Sequence, residues 1–312
     1  MRSEQNNSFH FDSIHYPFYK KAAIRVEDDG IHSIQDYCNF INDNKIEQAN
    51  IVVPELGFLS QCPSLRHLKI CPSQSSSEDF SFSPLYEHPE LLSLHCRNRY
   101  GSKNQYLSTV DFSKIKGLVE LSVEANEGAL NFNRIDSLKS LLIGGFEGKY
   151  RNLCDMFSSE IMDTLQLMEG KIKTLDGIER SRRMQCLYLY YNRSLQNISA
   201  LEKVKNSLRA LRIENCPKIE DFSVLAELEN LELLELSGSG SLPSLSFLKS
   251  MKNLKTFVFN MNVLDGDLYD CLNLSYVYSE KNRKHYNLND VQLPKGVYVR
   301  GNETIEEWRR LE

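Results

Sequence analysis

The residues with chemistry to offer fall into two groups. Toward the N-terminus, Cys62, His67 and Cys71 lie close together, followed by His95 and Arg97. Cysteine and histidine are zinc-ligand types, but no CxxC pair accompanies them and a fourth ligand at the usual spacing is missing. In the second half, Tyr188 and Tyr190 stand two residues apart, followed by Arg212, Glu214 and Glu235 and then by Tyr276 and Tyr278. This set has no nucleophile-base order and no cluster of carboxylates. Tyrosine offers a rigid apolar body with a polar tip, and tyrosine and arginine are enriched at the energetic centres of protein interfaces. There is no GxxxxGK[ST] phosphate loop, no GxSxG elbow, no HExxH helix and no GxGxxG turn. The expectation is a binding protein that is no enzyme and needs no cofactor or metal.

The elements that position these residues repeat. Four segments, MQCLYLYYN, LRALRIENC, LELLELSGS and LKTFVFNMN, place apolar side chains at their first, fourth and sixth positions. These are Met184/Leu187/Leu189, Leu208/Leu211/Ile213, Leu231/Leu234/Leu236 and Leu254/Phe257/Phe259, with starts 24, 23 and 23 residues apart. The pattern resembles the leucine-rich repeat family, in which each repeat supplies one strand and a return segment. Its irregular repeats resemble the internalin-like and effector-like bacterial members. The resemblance implies an α/β leucine-rich repeat solenoid, a horseshoe with a parallel sheet on its concave face and helical caps. It also implies recognition of a protein partner.

Weaker copies extend the pattern both ways. They are Ile46/Ala49/Ile51, Leu65/Leu68/Ile70, Leu91/Leu94/Cys96, Leu118/Leu121/Val123, Leu138/Leu141/Ile143 and Met162/Leu165/Leu167, then Leu274/Val277/Ser279 and Pro294/Val297/Val299. About 12 strands are expected over 46–302. Apolar residues every third position before a strand, as in Phe222, Leu225 and Leu228, suit a tight helical turn. Three residues past the last strand apolar stand Asn126, Asn192, Cys216, Asn262, Asn282 and Asn302, whose side chains can bond the turn backbone.

Residues 1–45 read as an N-terminal cap. A strand at Ala23–Val26 is followed by a helix that starts on Ser33 with Asp36 three residues on, and Ile34, Tyr37, Cys38 and Ile41 share one face. Residues 303–312, with Thr304 and Glu307 as a capping box, read as a C-terminal capping helix that packs Trp308 on the last repeat.

If the repeat leucines point inward, the residues between them line the opposite, concave face. That face then runs from a basic end at His67, Lys69, His95, Arg97 and Arg99 to Tyr188 and Tyr190, whose rings are expected to be exposed. Arg212, Glu214 and Glu235 flank the tyrosines, and Tyr276 and Tyr278 close the row. Insertions at Ser73–Ser83 and Arg97–Thr109 would rim its N-terminal end. A site for metal or sugar on His67, His95 and Arg97 is the alternative reading.

A net charge of −5 over 312 residues, with 41% apolar and 25% charged content, is that of a globular protein without the basic footprint nucleic acid requires. No apolar run has the length of a membrane span, and the first residues lack a secretory pattern. The sequence therefore points to a cytoplasmic monomer that binds a protein partner, with neither nucleic acid nor membrane involved. Its cysteines follow the repeat register as small buried hydrophobes, Cys96 in a strand and Cys216 at a turn. Mass analysis of the non-reduced protein should accordingly find Cys38, Cys62, Cys96, Cys154, Cys186, Cys216 and Cys271 as thiols; two or more native bridges would overturn this reading.

Overall fold

The computed structural model describes residues 8–13, 22–71, 80–96, 109–124, 129–145 and 152–299. The chain divides into two compact units, 1–137 and 138–312. Both are built from one device: a strand with inward leucines, a turn, and a short 3₁₀ segment that returns to the start of the next strand.

In the first unit, β1 (Phe11–Ser13) pairs antiparallel with β2 (Ala22–Val26). The strands β3 (Gln48–Ile51), β4 (His67–Ile70), β5 (Ser93–Cys96) and β7 (Glu120–Glu124) follow in parallel. Short strands β6 (Val110–Asp111) and β8 (Ala129–Leu130) pair beside them. Helix α1 (Ile34–Asp43) starts on Ser33, whose hydroxyl accepts from the Asp36 amide while the Asp36 carboxylate accepts from the Ser33 amide. It buries Tyr37, Cys38 and Ile41, as their spacing foretold, while Ile34 in the first turn is half-buried. A single helical turn, α2 (Pro84–Glu87), precedes β5.

The second unit contains β9 (Ser140–Gly144), β10 (Thr164–Met168), β11 (Cys186–Tyr190), β12 (Ala210–Glu214), β13 (Leu233–Ser237), β15 (Thr256–Phe259) and β17 (Tyr276–Ser279). Each pairs in parallel with the next, without slippage: Leu165, Leu187, Leu211, Leu234, Phe257 and Val277 form one row. Short strands β14 (Ser241–Leu242) and β16 (Asn262–Val263) pair at its side. In the nine motif copies from Leu65 to Phe259 every motif apolar is buried. The return segments are 3₁₀ turns, as at Ser223–Glu227 and Ser246–Lys249. This is a leucine-rich repeat architecture with a parallel sheet.

Two side-chain devices close the repeats. Asn192, fully buried, donates through Nδ2 to the Leu167 and Tyr190 carbonyls at 3.0 and 3.1 Å, and its Oδ1 accepts from the Gly170 amide at 3.1 Å. Cys216 takes the same place one repeat later and donates its thiol to the Leu189 and Glu214 carbonyls. Burial pushes that thiol up to about 11 and those of Cys62 and Cys271 up to about 12, so they are unreactive at neutral pH. The second device escaped the sequence reading. Ser64, Ser137, Ser159 and Ser181, just before β4, β9, β10 and β11, donate their hydroxyls back to the carbonyls of Ile46, Leu118, Leu138 and Met162.

Two expectations are corrected, and one strand was not foreseen. Asn262 does not bond its turn; it lies in β16, and Asn260 instead accepts from the Gly238 amide at 2.6 Å. Strand β1 had no counterpart in the sequence reading. The Pro294/Val297/Val299 copy adds no parallel strand: Lys295 bridges antiparallel to Tyr276, because the chain turns back on β17. The copy endings at Asn126 and Asn302, the 97–108 insertion, most of the Ser73–Ser83 insertion and the 303–312 helix lie outside the described residues.

Asn192→Ala leaves the Gly170 amide and the Leu167 carbonyl without this partner in a buried turn. Stability measured by chemical denaturation should fall by about 2 kcal/mol; a loss under about 0.5 kcal/mol would mean that water replaces the amide.

Candidate interaction surface

Residues between the inward leucines form the outer face of the sheet in each unit. In the first unit its central row is Arg25, Asn50, Lys69, His95 and Ser122, and His67 lies in the row beside it. Arg25 is held by Glu27 at 2.6 Å and by Asp12 at 3.4 Å, and Asp12 also accepts from Asn50. The half-exposed His67, Lys69 and His95 keep this end basic. His95 is the strand neighbour of Lys69, and a lysine ammonium there works against a bound cation. Among the described residues no three metal-ligand side chains converge. Arg97 lies outside the described residues, so the metal-or-sugar set His67, His95 and Arg97 is not assembled here.

In the second unit the central row is Leu142, Gln166, Tyr188, Arg212, Glu235, Val258 and Tyr278. Tyr190 and Glu214 occupy the next row, and Tyr276 the row on the other side. The alternation thus puts all seven second-unit candidates on the same face. It does not leave them equally accessible.

Tyr188 is buried, at 6% exposure, against the expectation of an exposed ring. It belongs to an apolar patch with Cys186, Ala210 and Leu233, and Tyr190 packs against that patch. The side chain that covers it comes from the next strand. The Arg212 guanidinium lies 5.1 Å from the Tyr188 ring centroid, a cation–π contact, and its Nε is 3.3 Å from the Glu235 carboxylate. Its Nη2 donates to the Tyr298 hydroxyl at 3.2 Å. Burial would lower the Arg212 pKa, but the three tyrosines around it outweigh burial and hold it above its ordinary 12.5. Burial pushes Glu235 above 4.5 despite Arg212, and pushes the Tyr188 hydroxyl well above 10. Arg212 is therefore a fixed cation among neutral phenols, locking a layer over the sheet. Tyr278, 41% exposed, is the accessible ring, and Lys295 Nζ sits 5.3 Å from its centroid.

No protein-family model matches the chain, and no curated protein matches it. Solved structures do. An internalin (inlF) of Listeria monocytogenes aligns over 89% of this chain and 86% of its own, with a TM-score of 0.45 and 17% identity. A leucine-rich repeat protein of Leptospira interrogans covers 78% of this chain and 81% of its own at a TM-score of 0.40 and 14% identity. The functional domain of InlJ from Listeria monocytogenes, which includes a cysteine ladder, covers 78% of this chain at 0.44 and 17% identity, and this chain covers 49% of it.

Away from the sheet face, a shallow cleft of about 160 Å³ lies between two 3₁₀ turns, lined by Asn197, Ser199, Asp221 and Ser223. Asp221 already accepts from the Ser223 amide at 2.8 Å, which lowers its pKa and marks it as a turn-capping carboxylate. No helix among the described residues is long and apolar enough to cross a membrane.

Two variants separate the roles around Arg212. Arg212→Ala uncovers Tyr188 and strands Glu235, and should cost about 2 kcal/mol of unfolding free energy. Glu235→Gln should be near neutral at pH 7, since burial already disfavours its charge. A raised folded pKa binds protons more tightly than the unfolded chain, so Glu235 favours folding at low pH and loses that advantage as pH rises past 4.5 through its folded value. Denaturation of both proteins at pH 4 and pH 7 should show wild type losing ground to Glu235→Gln as pH rises. The opposite trend would make the ion pair the dominant influence on Glu235.

Proposed function

We propose that this protein is a non-catalytic interaction scaffold that binds a protein partner on the outer, concave face of its sheet. The observation that carries this reading is the layered outer face of the second unit. An arginine locked by a phenol ring, a carboxylate and a hydroxyl makes a rigid platform, and rigid platforms lose little entropy on binding. Tyr278 and the half-buried Tyr190, Glu214 and Tyr276 stand on or beside that platform as contact groups. Tyr188, Arg212 and Glu235 support them. Among the described residues, the outer face gathers no nucleophile, base and oxyanion donors of the kind catalysis needs, which supports binding over chemistry. The chain acts as a monomer in the cytoplasm on this reading.

Site-specific photo-crosslinking in the native cell tests it. A photoreactive residue at Tyr278, at Tyr190 or at His95 should yield an adduct with one defined protein, whereas one at Lys249 on the opposite 3₁₀ side should not. Equal adducts at Lys249, or no protein adduct at any outer-face position, would overturn the proposal.

A further inference from the structure

The end of the described chain runs over the surface just assigned. Residues 294–296 pair antiparallel with β17: the Val277 amide donates to the Pro294 carbonyl at 2.8 Å, and the Gly296 amide to the Ser275 carbonyl at 3.0 Å. A Cβ at Gly296 would stand 2.7 Å from that Ser275 oxygen, so only glycine lets the two backbones lie this close. Lys295 anchors the segment through Nζ, which donates to the Val277 carbonyl and to Asp290. These contacts close the free edge of the last strand.

The next three residues do something else. Val297 is 75% exposed, and the chain then crosses the outer face. The Tyr298 ring meets Tyr276 edge-on at 5.3 Å, its hydroxyl accepts from Arg212 on β12, and the Val299 amide donates to Thr256 Oγ1 on β15 at 2.9 Å. An extended segment is thus held by one tyrosine and one backbone amide, the way a bound peptide would be. Tyr298 remains 38% exposed. Three contacts of this sort bias a segment shut by roughly a hundredfold, a preference a partner can reverse.

We propose that residues 297–299 are an internal ligand that occupies the partner surface, and that the partner is an extended, tyrosine-bearing segment that displaces them. This rests on the reading of the outer face as a binding surface. Lys295 and Gly296 are the hinge: the 294–296 pairing stays while Tyr298 leaves Arg212.

The test uses the full chain and a fluorescent peptide with the sequence of residues 294–299, Pro-Lys-Gly-Val-Tyr-Val. Tyr298→Ala removes the internal tyrosine, and fluorescence polarisation should then report peptide binding at least tenfold tighter than to wild type. Tyr298→Phe keeps the ring and loses only the hydroxyl, so it should fall between the two, which guards against a variant that folds poorly. A peptide with phenylalanine in place of its tyrosine should bind Tyr298→Ala more weakly. Equal binding to wild type and Tyr298→Ala, including none to either, would overturn the inference. Crosslinking at Tyr278 to a protein partner would leave the scaffold reading intact in that event. If instead the peptide binds as expected and no crosslinked partner appears, the scaffold reading fails and the displacing partner with it, while the occupancy of the outer face by residues 297–299 stands.

Discussion

Each strand of this protein buries one face against leucines that no single repeat could bury alone. That dependence is the constraint behind the rest of the structure. A repeat is a strand and a turn, too small for a core of its own, and it becomes stable only when the neighbours on both sides extend the same apolar row. Stacking therefore demands identical register, and Leu165, Leu187, Leu211, Leu234 and Phe257 keep it residue for residue. Once the register is set, every outer-face residue has a defined neighbour on the next strand, about 4.8 Å away. The arrangement of the outer face is a by-product of how the core must pack.

Stacking also creates a cost at each turn, where backbone groups leave the ladder inside a protein interior. The chain meets it with small polar side chains: Asn192, Cys216 and the serines that reach back one repeat. Some turns need a left-handed residue as well. Glu169, Tyr191 and Asn215 take φ near +55° immediately after their strands, where Gly145 stands in an earlier turn. Each donates its amide to the last carbonyl of the next strand, as Glu169 does to Tyr190 at 2.9 Å. That bond holds non-glycine residues in a conformation they otherwise disfavour.

The ends of a parallel stack need a different solution, because another repeat would only move the exposed edge outward. The first unit begins with an antiparallel strand, β1, fixed by Asp12 to Arg25 and Asn50. The second unit closes β17 with the antiparallel return of 294–296. Antiparallel pairing suits both places, since it joins the edge through a short connection and does not invite a further parallel strand.

The repeat unit, the inward rows, helix α1 with its cap, and the strand face of each candidate among the described residues were all legible in the sequence. Periods of about 23 and of two are local properties, and a chain displays them without being folded. Exposure was not legible. Tyr188 alternates with Leu187 and Leu189 as an outer-face residue should, yet Arg212, 24 residues later, covers it. Nor could the sequence show that Tyr298 would reach Arg212 across 86 positions, since 294–299 carries apolar residues that fit another repeat equally well. Alternation settles which side of a strand a residue takes. Only the stacked structure decides which long side chain from a neighbouring strand, or from the returning chain, lies on top of it.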